Sequence, residues 1–402
     1  MLPLGRRKWH CVASGFVVAI LLALGAAIML ERVSEFPINL HRKNGLAFRD
    51  KSSFKISIFA DLHYGENAWD AWGPVQDVNS SRVMDFVLDV EKPDFVIFLG
   101  DVITANNLAT ANATLYWDKA IASTAKRSIP WASVLGNHDD AAFEWPVDWF
   151  GPAGIPGFCS DSELPSSSLY FSGTTRAELM NHEVQQRLSI SLNGPEVLWP
   201  SISNFVIQIS SSKKGGGAVT LLYFLDSGGG TYAEVISAHQ ATWFQQVAID
   251  NNPDGRTPEI VFWHIPSQAF DSVSPTPNGP ISSPCFGTIN LETVASQVGE
   301  WGIMNILKNR PSVKAVIVGH NHGLDWCCPY EKLWLCFARH TGYGGYGTWT
   351  RGARQLELTE DPFQIRTWIL LENGTKTSAR ILYPRSKEMA TSNIKTPSGT
   401  LA

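Results

Sequence analysis

Short apolar runs recur along most of the chain, separated by polar or helix-patterned stretches. Runs rich in Val, Ile, Leu and aromatics at 54–59, 94–99, 131–135, 205–209, 219–225, 259–263, 313–318 and 333–337 predict β-strands. The run at 313–318 is apolar without alternation, as expected of a strand covered on both faces. Helical patterns fill 81–91, 113–126, 238–250 and 291–310, with one more helix near 176–188. Strands alternating with helices imply an α/β domain with buried sheets.

Three regions break this rhythm. Residues 151–203 are rich in Gly, Pro and Ser, and the Lys/Gly stretch at 213–217 reads as a hairpin loop. Residues 266–285 carry five prolines and five serines directly after His264. A long irregular loop beside a candidate ligand reads as a lid or specificity loop. There are no internal repeats. The resulting division is an N-terminal segment at 1–35, a stalk at 36–50, one large domain at 51–385 and a disordered tail at 386–402.

The N-terminal segment has the order basic, apolar, polar. Arg6, Arg7 and Lys8 precede an uncharged stretch over 9–30, which Glu31 and Arg32 end. That is the order of a secretory signal. A cleaved signal has about 7–15 apolar residues and a membrane span about 20. Ala23, Ala26 and Ala27 supply small residues without a clean cleavage site. The segment therefore reads as a signal peptide or a signal-anchor, and both alternatives stay open. In either case the basic end stays in the cytosol and the domain enters the secretory pathway, with a membrane partner only if the segment is retained.

Composition narrows the class. The chain has 402 residues, 44% hydrophobic and 17% charged, a globular balance. Its net charge of −5 gives no broad attraction to nucleic acid. Cys11 lies in the apolar segment, leaving Cys159, Cys285, Cys327, Cys328 and Cys336. An oxidising compartment permits disulfides among them, with a local bridge expected near 327–336 and one thiol left over. Sequons at Asn79, Asn112 and Asn373 give weak further support for export.

Five of the predicted strands run into residues that bind metals. The first reaches Asp61 and His63, the second Gly100-Asp101, and the third Gly136-Asn137-His138-Asp139. The runs at 259–263 and 313–318 reach His264 and Gly319-His320-Asn321-His322. Sites in α/β sheets form outside the carboxyl ends of strands, so repeated placement there is what one shared site requires. Imidazoles with carboxylates suit Zn, Fe, Mn and related ions. Asp61 and His63, two apart in an extended segment, are expected to point the same way, as are His320 and His322. Each fragment alone reads as well as a core histidine, a cap or a turn. All five together, each at a strand end, leave that reading five coincidences to explain.

The series Asp-x-His, Gly-Asp, Gly-Asn-His-Asp, His, Gly-His-x-His resembles the calcineurin-like metallophosphoesterase superfamily, and within it a small plant purple acid phosphatase. The resemblance spans Asp61 to His322. It implies a four-layer α/β/β/α sandwich with the site at one edge of two sheets. It implies two metal ions per chain, Fe, Zn or Mn. Asp61, His63, Asp101 and His322 would bind the first. Asp101 would bridge to the second, completed by Asn137, His264 and His320. His138 would sit over the phosphate, with Asp139 orienting its ring and Asn137 helping to hold the substrate. The exported domain would then be secreted, in the cell wall or vacuole, or held at a membrane on the extracytosolic side.

The chain departs from the purple pattern at two places. His63 stands where that group has Gly, and Thr104 where it has the Tyr that binds iron(III) and gives the colour. The changes are complementary, because His63 supplies the ligand that Thr104 cannot. The expectation is a colourless phosphoesterase with a complete site.

The implied reaction is hydrolysis of a phosphorylated small molecule, a phosphate monoester, by a metal-bridging hydroxide. His138 would donate to the leaving oxygen or stabilise developing charge. A phosphodiesterase acting on nucleotides or lipid headgroups is the first alternative, and a non-catalytic binder of a phosphorylated ligand or partner the second. The stretch Arg339-His340-Thr341-Gly342-Tyr343-Gly344-Gly345-Tyr346-Gly347 reads equally as a substrate contact or a connecting turn. The fifteen tryptophans read as packing.

Overall fold

The apolar runs become the strands of two mixed sheets in the computed structural model, which describes residues 45–48, 53–68, 70–108, 113–140, 174–213 and 216–384. The N-terminal segment, the tail, Cys159 and the Asn112 sequon lie outside the described residues.

The larger sheet contains β1 (Leu46–Ala47), β5 (Phe205–Ser210), β6 (Ala218–Phe224), β7 (Glu259–Phe262), β8 (Val313–Val318), β9 (Cys327–Tyr330) and β10 (Leu333–Phe337), in the order β1-β5-β6-β7-β8-β10-β9. The other contains β2 (Ser53–Phe59), β3 (Phe95–Leu99), β4 (Trp131–Val134), β11 (Gly352–Glu360), β12 (Phe363–Leu371) and β13 (Lys376–Tyr383), in the order β13-β12-β11-β2-β3-β4. Within each sheet the strands that lead to the candidate ligands are parallel to one another. These are β2, β3 and β4 in one sheet and β7 and β8 in the other.

The two sheets share one apolar core. Ile56, Ile58, Val96 and Phe98 from one sheet belong to the same buried cluster as Leu222, Phe224, Ile260, Phe262 and Ile317 from the other. At about 25 cal/mol per Å² of apolar surface removed from water, this interface is the main term holding the layers together. Helices cover the outer faces. Helix α1 (Gly73–Glu91) packs on β2 and β11, and against α2 (Ala113–Lys126), which meets α3 (Arg176–Gln185). On the other side α4 (Ala238–Asn251) sets Phe244 against Tyr223 of β6 with ring centroids 4.9 Å apart. Two further helices are α5 (Gln268–Val273), beside β9, and α6 (Ile303–Asn309), which packs on α4. The layers therefore run helix, sheet, sheet, helix.

Local chemistry explains the helix starts. Thr175 with Glu178 and Ser237 with Gln240 form capping boxes for α3 and α4. Proline in the first turn starts α1 at Gly73, eight residues earlier than the periodicity predicts. Three expectations are corrected. The helix expected over 291–310 shrinks to Ile303–Asn309, because Gly299 and Gly302 interrupt it and Gly302 takes φ 103°. The loop at 266–285 contains α5. Residues 45–48, expected within a stalk, place β1 beside β5 with Leu46 and Phe48 buried.

Four of the cysteines pair. Cys327 and Cys336 lie opposite each other on β9 and β10 and are bonded, and Cys285 is bonded to Cys328. The second bridge fastens the end of the 266–285 loop to the sheet edge.

A buried ion network braces the loop after β4. Arg176 donates to Asp140 Oδ1 and to Asp226 Oδ1, each at 2.6 Å, and to the Gly136 carbonyl at 2.9 Å. Asp226 also accepts the amides of Ile202 and Ser203 at 3.0 and 3.2 Å. Removing one member of a buried, hydrogen-bonded charge set leaves the others uncompensated. Arg176→Ala should therefore cost about 3–5 kcal/mol in urea unfolding. A loss under about 1 kcal/mol would show that the network contributes little to stability.

Candidate metal centre

All seven residues predicted to bind metal come together where the carboxyl ends of the two sheets meet. Asp61, His63, Asp101, His264 and His322 are buried, and Asn137 and His320 are half-buried. They form two clusters. Asp61, His63 and His322 make one, and Asp101, His264 and His320 make the other. Asn137 Oδ1 lies 3.1 Å from His264 Nε2 and 2.9 Å from His320 Nδ1, so it belongs with the second. Asp101 Oδ2 lies 3.0 Å from His264 Nε2 and 3.7 Å from His63 Nε2, between the clusters.

The backbone that makes this convergence is bent. Asp61, His63, Asp101 and His320 all have positive φ, between 49° and 72°. Non-glycine residues adopt that region at a cost of about 1 kcal/mol or more each, and such residues gather at functional sites. The reading of Asp61–His63 and His320–His322 as extended pairs is corrected by these angles. His320 and His322 turn into different clusters. Cross-links hold the bends: the Leu62 and His63 amides donate to the Asp101 carbonyl at 2.8 and 2.9 Å. Asp61 Oδ1 accepts the His320 amide at 2.9 Å. Gly136 packs directly on Asp101, and any side chain there would strike its carboxylate.

The hydrogen bonds around the imidazoles decide what the centre can hold. His264 Nδ1 donates to the Leu99 carbonyl at 2.8 Å, and His322 Nδ1 donates to the Tyr346 carbonyl at 3.1 Å. The inner nitrogen of the neutral His322 ring therefore carries a lone pair, and that of His264 is aimed at the Asp101 carboxylate. His322 Nε2 faces His63 Nε2 at 3.1 Å. His264 Nε2 faces the Asp101 carboxylate and the Asn137 amide oxygen. Imidazole nitrogens, a carboxylate and an amide oxygen converging near 3 Å in a buried setting need shared protons or a metal cation between them. Donors about 2.0–2.2 Å from one ion lie about 3–3.6 Å from each other, which is this spacing.

The protonation states agree. Burial pushes His320 and His322 down to about 3 and His63 well below its ordinary value, keeping all three neutral and ready to ligate. Burial also pushes Asp61 up to about 8, with the neighbouring Asp101 adding to the rise. Burial would lower His264, but Asp101 and Asp61 outweigh it and raise it to about 9, drawing positive charge to that nitrogen. A carboxylate-rich pocket that pulls in protons is one that a metal cation would satisfy. The donor set fits two ions.

The two departures from the purple pattern touch. His63 Nδ1 lies 3.0 Å from Thr104 Oγ1 and 3.6 Å from Glu66 Oε2. Thr104 thus meets the imidazole that the first cluster contains.

His138 is half-buried beside His63, with ring centroids 5.0 Å apart, and its amide donates to Asp101 Oδ1 at 2.8 Å. The expected orientation of its ring by Asp139 is corrected. Asp139 Oδ1 accepts the amides of Val102 and Ile103, and its Oδ2 accepts that of Gly136. It is a brace between the Asp101 and Asn137 loops. The ring of His138 instead meets Asn106 Oδ1 at 3.3 Å. Sequence reading missed Asn106 because a lone Asn after a metal motif carries no spacing signal.

In the 339–347 stretch, Arg339 and His340 are buried. Arg339 bonds Asp325 and the Thr350 carbonyl. Its exposed residue is Tyr346, stacked on His322 with centroids 4.1 Å apart and planes 9° from parallel. The stretch reads equally as a substrate contact or a connecting turn, and no spacing singles out this ring.

Comparison with known proteins gives the same direction. The calcineurin-like phosphoesterase pattern matches residues 54–324. An Arabidopsis thaliana protein named probable inactive purple acid phosphatase 29 is 28% identical over 80% of this chain and 80% of its own length. Phosphatase DCR2 of Saccharomyces cerevisiae is 28% identical over 81% of this chain and 55% of that protein. Among solved structures, the purple acid phosphatase PPD1 from yellow lupin aligns over 88% of this chain and 58% of that one, with 13% identity and a TM-score of 0.50, a likeness of fold.

Asp139→Ala would strand three buried amides, each costing about 1 kcal/mol or more. It should lower stability by about 3 kcal/mol or more in urea unfolding. Near-wild-type stability would return Asp139 to a role other than brace.

Proposed function

The chain belongs to the calcineurin-like phosphoesterase family, and on that premise we propose that it hydrolyses phosphate monoesters of small molecules at a two-metal centre. The observation that carries this reading is the intact donor set, with its inner nitrogen and oxygen atoms converging in two clusters. Asp61, His63 and His322 would hold one ion, Asn137, His264 and His320 the other, and Asp101 both. Nitrogen and carboxylate donors suit Zn, Mn or Fe. When bound, the ions would supply Lewis-acid polarisation of a phosphoryl oxygen and acidify a water molecule.

The chain's own groups do the rest. The Asn137 side chain places an amide beside the centre to help seat the phosphoryl group. Asn106 accepts from His138 Nδ1, which turns the opposite ring nitrogen toward the site. From there a protonated His138 donates to the leaving oxygen or stabilises the charge that grows on the phosphoryl group. The half-buried setting of His138 lets it exchange its proton with solvent between turnovers.

The word inactive in the name of the Arabidopsis relative concerns that protein. Here His63, oriented by Thr104, fills the position that the absent Tyr leaves. A catalytically silent binder would not need every donor in place. Two disulfides support an oxidising, extracytosolic compartment for the domain. Among the described residues no helix is long and apolar enough to cross a membrane.

Metal analysis and turnover of an aryl phosphomonoester, on the same samples, test the proposal. The wild type should carry two ions, turn over the monoester faster than a matched diester, and lack a strong visible band. Asp101→Ala should lose both ions and activity together. His138→Ala should keep the ions and lose activity about 100-fold or more. Equal metal loss in both variants would refute the separate roles, and diester preference would replace the substrate class.

A further inference from the structure

The stacked residue Tyr346 is held as few exposed side chains are. It is about half exposed, at 51%, although His322 beneath it is buried. His322 lies between two rings. His340 packs on it from the interior at 3.9 Å, and Tyr346 at 4.1 Å. Tyr346 is therefore the solvent-side end of an aromatic column that begins inside the core. From His138, centroid steps of 5.0 Å to His63, 5.0 Å to His322 and 4.1 Å to Tyr346 lead to this ring. The ring thus stands one stacking step from His322, a member of the first cluster.

The ring is also rigid. Its hydroxyl donates to Glu292 Oε2 at 2.7 Å and accepts from the His322 amide at 3.3 Å. Its carbonyl accepts from His322 Nδ1. The loop that carries it is clamped by two arginines. Arg351 donates to the carbonyls of Gly342, Gly347 and Trp349, and Arg339 to that of Thr350. A ring fixed before binding loses little entropy when a ligand stacks on it.

Charge excludes other kinds of recognition here. The guanidiniums of Arg339 and Arg351 are buried and fully engaged with backbone carbonyls and Asp325. Carboxylates meet the Tyr346 loop at Glu292, bonded to the tyrosine hydroxyl, and at Glu66, bonded to the Gly345 amide. Two carboxylates would repel a second phosphate or a carboxyl group on the leaving group. The open face of the ring is what remains to bind it.

We propose that Tyr346 is a stacking platform for the leaving group, selecting phosphate esters of planar aromatic alcohols. This rests on the monoester reading above and narrows its substrate class. Aromatic pairs add enough interaction for about a threefold to tenfold preference.

The test compares benzyl phosphate with cyclohexylmethyl phosphate. Both leave as primary alcohols of similar acidity, so intrinsic reactivity is matched and only ring flatness differs. The matching phosphonates, which cannot turn over, are titrated calorimetrically against the metal-loaded full chain. The wild type should favour the benzyl member about threefold to tenfold in kcat/KM and in phosphonate affinity. Tyr346→Leu should abolish the preference, and Tyr346→Phe should keep it. The ratio within each variant cancels any general loss of folded protein. Turnover of both esters with no benzyl preference, or a preference surviving in Tyr346→Leu, would overturn the platform and leave the monoesterase. Selective phosphonate binding without turnover would uphold the platform and overturn the monoesterase.

Discussion

Nitrogen and oxygen ligand atoms brought to about 3 Å from one another inside a protein need shared protons or a metal cation between them, and the fold is arranged around that need. His63 and His322 confront each other in one cluster, and His264 confronts Asp101 and Asn137 in the other. The outer ring nitrogens are fixed by the carbonyls of Leu99 and Tyr346, so the rings cannot turn away. Left-handed backbone at four of the ligands adds further cost. A site this unfavourable alone persists because the surrounding layers hold it.

That support comes from both sheets. Strands β2, β3 and β4 deliver Asp61, His63, Asp101 and Asn137 from one, and β7 and β8 deliver His264, His320 and His322 from the other. The His264–Leu99 bond ties the two at the point of convergence. Behind it, Asp139 gathers the amides of Val102, Ile103 and Gly136, and Arg176 grips Asp140, Asp226 and the Gly136 carbonyl. Moving the Asn137 loop would break both sets of contacts. The site's geometry is thus part of the stability of the domain.

Much of this was legible in the sequence because buried parallel strands leave uninterrupted apolar runs, and the ligands stand directly after them. The eight expected strands are present within a residue or so at either end. Strands β11, β12 and β13 were not read, and in β11 buried polar residues interrupt the apolar run. Arg354 is buried in β11 and bonds the carbonyls of Phe337 and Asp325, and Gln355 beside it accepts from Ser57. Such residues erase the apolar signature of a core strand. Tertiary contacts also decided the partner of the His138 ring, Asn106 and not Asp139, and the placing of Tyr346 over His322. No spacing rule encodes either. The division of His320 from His322 depended on one left-handed φ of 72°, which the residue type does not announce.

The most direct test of the metal centre is anomalous X-ray diffraction from crystals of the metal-loaded protein, recorded at the absorption edges of Zn, Fe and Mn. Two anomalous peaks are expected, one among Asp61, His63 and His322 and one among Asn137, His264 and His320, with Asp101 reaching both. A single peak, or none at full metal loading, would contradict the account.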